Sequence, residues 1–585
     1  MTVSEIKRPK RWDQSFSDGM HRKHAKMILK TPHFRVMDKD NFPESLSLMN
    51  LVLNDCRIKV YEKDQLIIGA GGYINSAYLI LCGEATLILA PGIDPSAWGQ
   101  KKKTTHSIRK TIFKYVRRSK HAEVREQVGV KVTAQLDNQD KLPTVGEFSQ
   151  ESAPKVADLQ AEIDKSGADT VPLKSGDIFG ESAVLGRTRV SNTVVAASRV
   201  KVLEIRWQGL RDICKYESGF KNHIDKLYRK RGLYEELLKQ PLFSHVDKRE
   251  LHVLAREALF EVHGSFDWHK DFHKSGSQIK SDSEINNMIQ SEPLIVGEGD
   301  YPDGLLLIRN GFARLSRKIN HGHYTLAHLS SGDLFGLNEL YDSWKSGGDT
   351  EPMQCSLRAL GYTDVIRIPS IWLEKNIFAN TENINLKQNL DSLLASASKV
   401  SDEPLAEQKI DRKLTEFLVE NRVINGTQTM LIDLERCVRC DDCVTACANV
   451  HDNNPRFVRQ GATFGQYMVA DACMHCDDPV CMIGCPTGAI HRSEDGVVTI
   501  NDPTCIGCST CANSCPYNKI QMVPIRDLQG RSFTDEQQKP IIKATKCDLC
   551  SDVDGGPACE RACAHDALIR IDVKDTERLA KWVKR

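Results

Sequence analysis

Of the twenty cysteines in this 585-residue chain, sixteen lie between Cys437 and Cys563. They fall into four sets of four. Cys437, Cys440, Cys443 and Cys447 are separated by two, two and three residues, and Cys505, Cys508, Cys511 and Cys515 repeat that spacing before Pro516. Cys473, Cys476, Cys481 and Cys485 widen the middle gap to four residues before Pro486, and Cys547, Cys550, Cys559 and Cys563 widen it to eight. Disulfides, zinc and iron–sulfur clusters are the three chemistries that use cysteine so densely. Disulfides need an oxidising compartment. The first thirty residues carry neither an apolar signal core nor a twin-arginine pair, so export is not expected. Zinc usually takes two ligands from each of two knuckles.

Three thiolates on one tight loop, with a fourth starting the next segment, is the spacing at which bacterial ferredoxins hold [4Fe–4S] cubanes. The three close thiolates reach three corners of one cubane, and the fourth points away and ligates the other cluster of a pair. The inner motifs are natural partners. One cluster is expected on Cys473, Cys476, Cys481 and Cys515, and another on Cys505, Cys508, Cys511 and Cys485. The outer motifs then close on each other, Cys437, Cys440 and Cys443 with Cys563, and Cys547, Cys550 and Cys559 with Cys447. Two ferredoxin-like units, one inserted in the other, result.

Residues 428–585, roughly a quarter of the chain, resemble the four-cluster electron-transfer subunit found beside molybdopterin oxidoreductases and some hydrogenases. The stretches that carry the resemblance are IDLERCVRCDDCVTAC, CMHCDDPVCMIGCPTGAI, CIGCSTCANSCPY and KCDLCSDVDGGPACERAC. The resemblance implies the same nested pairing and a role as a wire without substrate chemistry of its own. Ala564 departs from it, standing where a proline often follows the last cysteine. Gly484, Gly488, Gly507 and Pro486 are expected to turn backbone amides toward sulfur, and Ile490, Ile500, Ile506 and Ile520 to keep water off. His451 and His475 lie near the motifs, and hydrogen-bonding or surface roles are expected of them, since each cubane already has four thiolates.

The elements that position these motifs belong to a longer design. A chain of this length holds several domains, and its balance of 79 basic and 78 acidic side chains gives no global attraction to nucleic acid or anionic membrane. No apolar run is long enough to span a bilayer. Residues 61–89 alternate apolar positions between glycine turns, as do 175–205. The pattern returns at 293–317, 331–344 and 355–368, so one β-roll unit is duplicated. Both copies resemble cyclic-nucleotide-binding domains of the catabolite-activator type. In that family a helix after Phe-Gly-Glu, and an arginine further on, hold the ribose and phosphate. Copy one matches at Gly180 and Glu181, with Arg189 the candidate phosphate partner, one position out of register. Copy two has Leu337 after Gly336 and no such arginine, so a cyclic nucleotide is a candidate for copy one alone. Ligand-free docking scaffolds are the preferred expectation for both.

The expected fold class is multidomain α+β, two rolls followed by a tandem ferredoxin-like four-cluster domain. The expected segments are 1–45; roll one at 46–215, interrupted at about 92–172; a helical linker at 216–239; roll two at 240–378; a helical linker at 379–427; and the cluster domain at 428–585. The interruption carries a basic run, 101–120, in which Ile108, Ile112, Phe113 and Val116 suit an amphipathic helix. A solvated face is its expected role, with contact to an anionic membrane surface or a partner the alternative. Leu386, Leu390, Leu393 and Leu394 mark one linker helix, and Leu414, Phe417 and Leu418 another, with too little chain for a DNA reader. Four scattered cysteines, Cys56, Cys82, Cys214 and Cys355, suit core packing. No dinucleotide fingerprint or nucleophile signature points to a stand-alone enzyme. The leading expectation is a cytoplasmic electron-transfer subunit, docked by its rolls to a flavoprotein, hydrogenase or molybdopterin enzyme in an oligomeric complex. Rolls that gate electron flow are the alternative. Anaerobically prepared protein should hold about sixteen irons and sixteen acid-labile sulfides, four of each per motif. Zinc as the main metal in elemental analysis would contradict this.

Overall fold

The computed structural model describes residues 12, 16–17, 20–89, 121–124, 169–186, 189–244, 246–264, 282–319, 322–347, 351–379, 388, 390–394 and 412–584, less 494, 536, 552 and 554. The chain forms two compact units, Met1–Ile224 with Ile410–Arg585, and Asp225–Lys409. The basic run at 101–120 and Leu386 lie outside the described residues. Among those described, no helix is long and apolar enough to cross a membrane.

In the first unit the alternating stretches become eight strands: β1 (Cys56–Tyr61), β2 (Leu66–Ile68), β3 (Ser76–Cys82), β4 (Ala85–Leu89), β5 (Asp169–Leu173), β6 (Ile178–Phe179), β7 (Thr193–Ala196) and β8 (Val200–Arg206). They make two four-stranded sheets, ordered β1-β8-β3-β6 and β2-β7-β4-β5. Leu79, Ile80, Val194, Val195, Val202 and Leu203 are buried in this roll. The interruption leaves from Leu89 and returns at Asp169, and these two residues face each other as partners at the open end of a hairpin. An insertion placed there leaves every ladder hydrogen bond of the roll intact, which is why the fold tolerates it.

The second unit holds β9 (Leu259–Gly264), β10 (Leu294–Val296), β11 (Gly304–Ile319), β12 (Gly322–Leu329), β13 (Leu334–Phe335) and β14 (Ser356–Pro369). They form one sheet, β10-β14-β11-β12, with β13 on β11 and β9 on β14. The duplication is visible atom by atom. Lys174 N–H and Ser330 N–H each donate to the aspartate three residues on, Asp177 or Asp333, at 2.7 Å. Gly176 and Gly332 donate to Ile80 O and Ile308 O at 2.9 and 2.8 Å. Gly180 and Gly336 then take φ of +77° and +89° and lead into the helices Glu181–Gly186 and Leu337–Lys345. Only a residue without a Cβ adopts that conformation freely, so the glycine of the Phe-Gly pair in both repeats is a backbone requirement.

The cluster domain places the motifs between short strands. β15 (Thr429–Asp433), β16 (Phe457–Phe464), β17 (Tyr467–Ala472) and β22 (Leu568–Ile571) form a sheet ordered β16-β17-β15-β22. Two hairpins, β18 (Ile490–Arg492) with β19 (Val498–Ile500) and β20 (Gln521–Pro524) with β21 (Ile542–Thr545), complete it. β15 precedes the first cysteine motif and β22 follows the last, and the two strands are antiparallel neighbours. The first and fourth motifs therefore meet. Their helices, Asp442–Val450 and Ala558–Arg561, pack together, as do the inner helices Val480–Ile483 and Thr510–Ser514. The expected helix over Leu414, Phe417 and Leu418 is present at Arg412–Glu420, and 390–394 are helical. Cys56 and Cys355 are buried as expected of core residues, whereas Cys82 is exposed and Cys214 is partly so.

Candidate iron–sulfur centres

None of the twenty cysteines forms a disulfide. Sixteen of them converge as four crossed groups. Cys505, Cys508 and Cys511 line one cavity with Cys485, enclosing about 320 Å³ with its mouth, under Ile490, Ile500, Ile506 and Met522. Cys437, Cys440 and Cys443 line another with Cys563, about 360 Å³ with its mouth, beside Arg459 and His565. Cys476 lies in the field of Cys473, Cys481 and Cys515, and Cys447 in that of Cys547, Cys550 and Cys559. In every group three thiols come from one motif and the fourth from its partner.

The donor set fits a cubane: four sulfurs converge, and burial favours the neutral thiol unless a cationic centre binds the thiolate. Burial, reinforced by neighbouring thiols, pushes Cys511 up to about 12 and Cys443 up to about 11. Burial with the same neighbours drives Cys476 and Cys481 well above the ordinary thiol range. A thiolate in such a place needs a cationic centre to bind it. Each group could hold one [4Fe–4S] cluster, which supplies one-electron chemistry when bound. Peptide N–H groups already point at sulfur: Arg456 on Cys447 at 3.2 Å, Ala567 on Cys563 at 3.3 Å, Lys519 on Cys515 at 3.4 Å and Ala558 on Cys550 at 3.5 Å. Such bonds stabilise added negative charge.

One backbone device recurs. The residue before the second cysteine of every motif is left-handed: Arg439 (φ +60°), His475 (+51°), Gly507 (+67°) and Leu549 (+57°). Each non-glycine at such a position costs about 1–3 kcal/mol, and it curls the Cys-x-x-Cys loop around the site. At Gly507 a Cβ would also meet Ile542 O at 2.0 Å, so only glycine fits. Gly484 does not take a turn conformation; it permits close packing of the inner helices, since a Cβ there would meet Thr510 Cγ2 at 2.6 Å. His475 is buried and accepts a hydrogen bond from Val498 N–H at its Nδ1, 3.1 Å away. His451 Nε2 lies 3.5 Å from Cys550 Sγ. Both histidines therefore take the hydrogen-bonding role, and the surface alternative does not apply.

In roll one, Gly180 and Glu181 open their helix and Glu181 is buried. Arg189 is engaged elsewhere. Its guanidinium donates to Gly71 O at 3.0 Å and lies 5.0 Å from the centre of the Tyr73 ring. The same ring carries Arg492 of the cluster domain at 4.3 Å, and Arg492 donates to Cys476 O and Asp477 O at 2.5 and 2.9 Å. Asn75 donates to Arg492 O at 3.1 Å, and Arg211 to Ile483 O. A second seam comes from the interruption. Glu123, buried, pairs with buried Arg456 and accepts from Asn454. Its N–H donates to Asp452 O at 2.9 Å, and its carbonyl accepts from Arg526 N–H at 3.0 Å. No sequence signal distinguished Glu123, because its partners lie over three hundred residues away. Roll one is thus packed against the cluster domain at two places.

Comparison with known proteins adds two family models. One, for a 4Fe-4S dicluster domain, matches residues 464–572, and the other, for a cyclic nucleotide-binding domain, matches residues 289–375. The second falls on roll two, the copy with Leu337 in place of the glutamate. The electron transport protein HydN of Escherichia coli (strain K12) is 33% identical over 171 residues, 27% of this chain and 94% of HydN. The thiosulfate reductase electron transfer subunit PhsB of Salmonella typhi is 30% identical over 176 residues, 27% of this chain and 83% of PhsB. The regulatory domain of Toxoplasma gondii PKA, solved with cAMP, aligns with 66% of this chain and 98% of its own at 14% identity and a TM-score of 0.21, a likeness too distant to argue from.

The crossed grouping has a direct spectroscopic consequence. Cys563→Ala should perturb the same paramagnetic centre as Cys437→Ala, because both line one cavity. Electron paramagnetic resonance of the two reduced variants checks it. A lesion shared instead with Cys547→Ala would show that the fourth motif closes on itself.

Proposed function

We propose that this chain, which belongs to the 4Fe-4S dicluster family of electron-transport proteins, carries four [4Fe–4S] clusters and relays electrons within an oxidoreductase complex. The observation that carries this reading is the crossed convergence of sixteen thiols into four groups of four, all but Cys440 and Cys508 buried or partly buried. The proposed ligand sets are Cys437, Cys440, Cys443 and Cys563; Cys473, Cys476, Cys481 and Cys515; Cys505, Cys508, Cys511 and Cys485; and Cys547, Cys550, Cys559 and Cys447. Cys440 and Cys508 are the exposed members, so the first and third groups are the natural points of entry and exit. The names of the relatives, an electron transport protein and an electron transfer subunit of a reductase, support a catalytic partner. That partner is a flavoprotein, a hydrogenase or a molybdopterin enzyme.

The rolls serve to dock the wire. Roll one already spends its candidate phosphate residue, Arg189, on Gly71 and Tyr73, and it presents Tyr73, Asn75 and Arg211 to the cluster domain. Roll two begins its helix with Leu337, which offers no carboxylate to a ribose. One observation favours a second reading. The stack Arg189–Tyr73–Arg492 ends on the carbonyl of Cys476, so an anion that drew Arg189 away would loosen the support of a cluster ligand.

Replacing 225–409 by a flexible linker in the full chain separates these readings. Iron content and reduction by dithionite should persist, while anaerobic copurification with the catalytic partner should be lost. Undiminished copurification and turnover would remove docking as the role of roll two. A change in reoxidation rate of the unaltered chain on adding cyclic AMP or cyclic GMP would favour gating.

A further inference from the structure

Two cations, Lys546 and Arg570, are buried to 6% and 2% exposure at the junction of two thiol groups. Lys546 Nζ donates to Cys473 Sγ at 3.3 Å and to Cys547 O at 2.9 Å, and its remaining bond goes to Val498 O. Arg570 does the reciprocal. Its Nη2 donates to Cys547 Sγ at 3.1 Å, and its Nη1 to Cys473 O at 3.1 Å and Gln428 O at 3.0 Å. Each cation thus holds the sulfur of one group and the peptide of the first cysteine of the other. Among the described residues the charged partners that act on them are thiols, Cys473, Cys481 and Cys547 on Lys546, and Cys547, Cys559 and Cys473 on Arg570. A buried charge without a counter-ion is strongly unfavourable, so the negative charge that balances this pair must be the thiolates and whatever they bind.

We propose that Lys546 and Arg570 form a cationic bridge between the Cys473 and Cys547 groups that raises the reduction potentials of both clusters held there. The inference rests on the four-cluster reading and assigns a potential-setting role to residues outside the ligand sets. An added electron makes a thiolate-bound cubane more negative, and a positive charge in contact with its sulfur favours that state in a water-poor site. Hydrogen bonds to sulfur act in the same direction. Because the bridge touches both groups, one charge acts on two centres. The Cys437 and Cys505 groups lie in cavities whose linings include neither cation.

The test is a redox titration of the full-length, anaerobically purified chain, followed by electron paramagnetic resonance, for Lys546→Gln, Arg570→Gln and the double variant. With iron and sulfide content unchanged, two of the four midpoint potentials should fall and the other two should stay, with the double variant showing the larger fall. Lys546→Arg and Arg570→Lys should keep the two potentials close to those of the unaltered chain. Unchanged potentials at full iron content would overturn the proposal, as would an equal fall in all four. Should the glutamine variants lose iron, the charge-conserving pair decides: full loading with potentials kept supports the bridge, and loss of iron there too would show the cations to be structural only. An unaltered chain holding fewer than four clusters would instead sink the reading beneath it.

Discussion

The crossing of the fourth cysteine is the constraint on which the rest of the cluster domain depends. A cubane held by three thiolates of one loop needs its fourth from a segment that the loop itself cannot supply. The fold meets that need by topology. β15 and β22 are neighbours although they stand at opposite ends of the domain, and this pairing brings Cys563 to Cys437 and Cys447 to Cys547. The inner motifs need no such detour, because Val480–Ile483 packs directly on Thr510–Ser514. Everything else follows at close quarters: left-handed residues curl each loop, peptide N–H groups face sulfur, and apolar side chains such as Ile490 and Ile520 exclude water.

Roll one is best understood from the same centre outward. Its hairpin between β4 and β5 opens to release a long segment, and part of that segment returns as Glu123 to pair with Arg456. The N–H of Arg456 bonds Cys447 Sγ, so the carboxylate of Glu123 is two steps from a thiol of the fourth group. On another side Arg492 links the Tyr73 ring to the peptide of Cys476. Burying the Glu123–Arg456 pair is worthwhile only with both partners present, since removing either leaves a buried charge alone. Roll one is joined to the cluster domain by charge and stacking.

Much of this was legible in the sequence, for definite reasons. Cysteine spacing encodes loop geometry directly, so the groups that meet in space could be read from gaps of two, three, four and eight residues. The repeated Ser-Gly-Asp-x-Phe-Gly encodes a turn whose atoms superpose in kind, from Asp177 and Asp333 to Gly180 and Gly336. Other features carried no local mark. Only glycine advertises a left-handed backbone, so Gly507 stood out, while Arg439, His475 and Leu549 adopt the same conformation unannounced. The contact of Arg189 with Tyr73 has no local mark either, because the two residues are remote in sequence. Lys546 and Arg570 look like ordinary basic residues until Cys473 and Cys547 are seen between them.

In the proposed function each cluster takes three cysteines from one motif and its fourth from another. Anomalous diffraction at the iron edge, from crystals of the full chain grown without oxygen, tests it most directly. Four iron peaks are expected, each bounded by cysteines of two motifs, with Cys485, Cys515, Cys447 and Cys563 in the crossed positions. A peak enclosed by all four cysteines of a single motif, or fewer than four peaks at full occupancy, would contradict it.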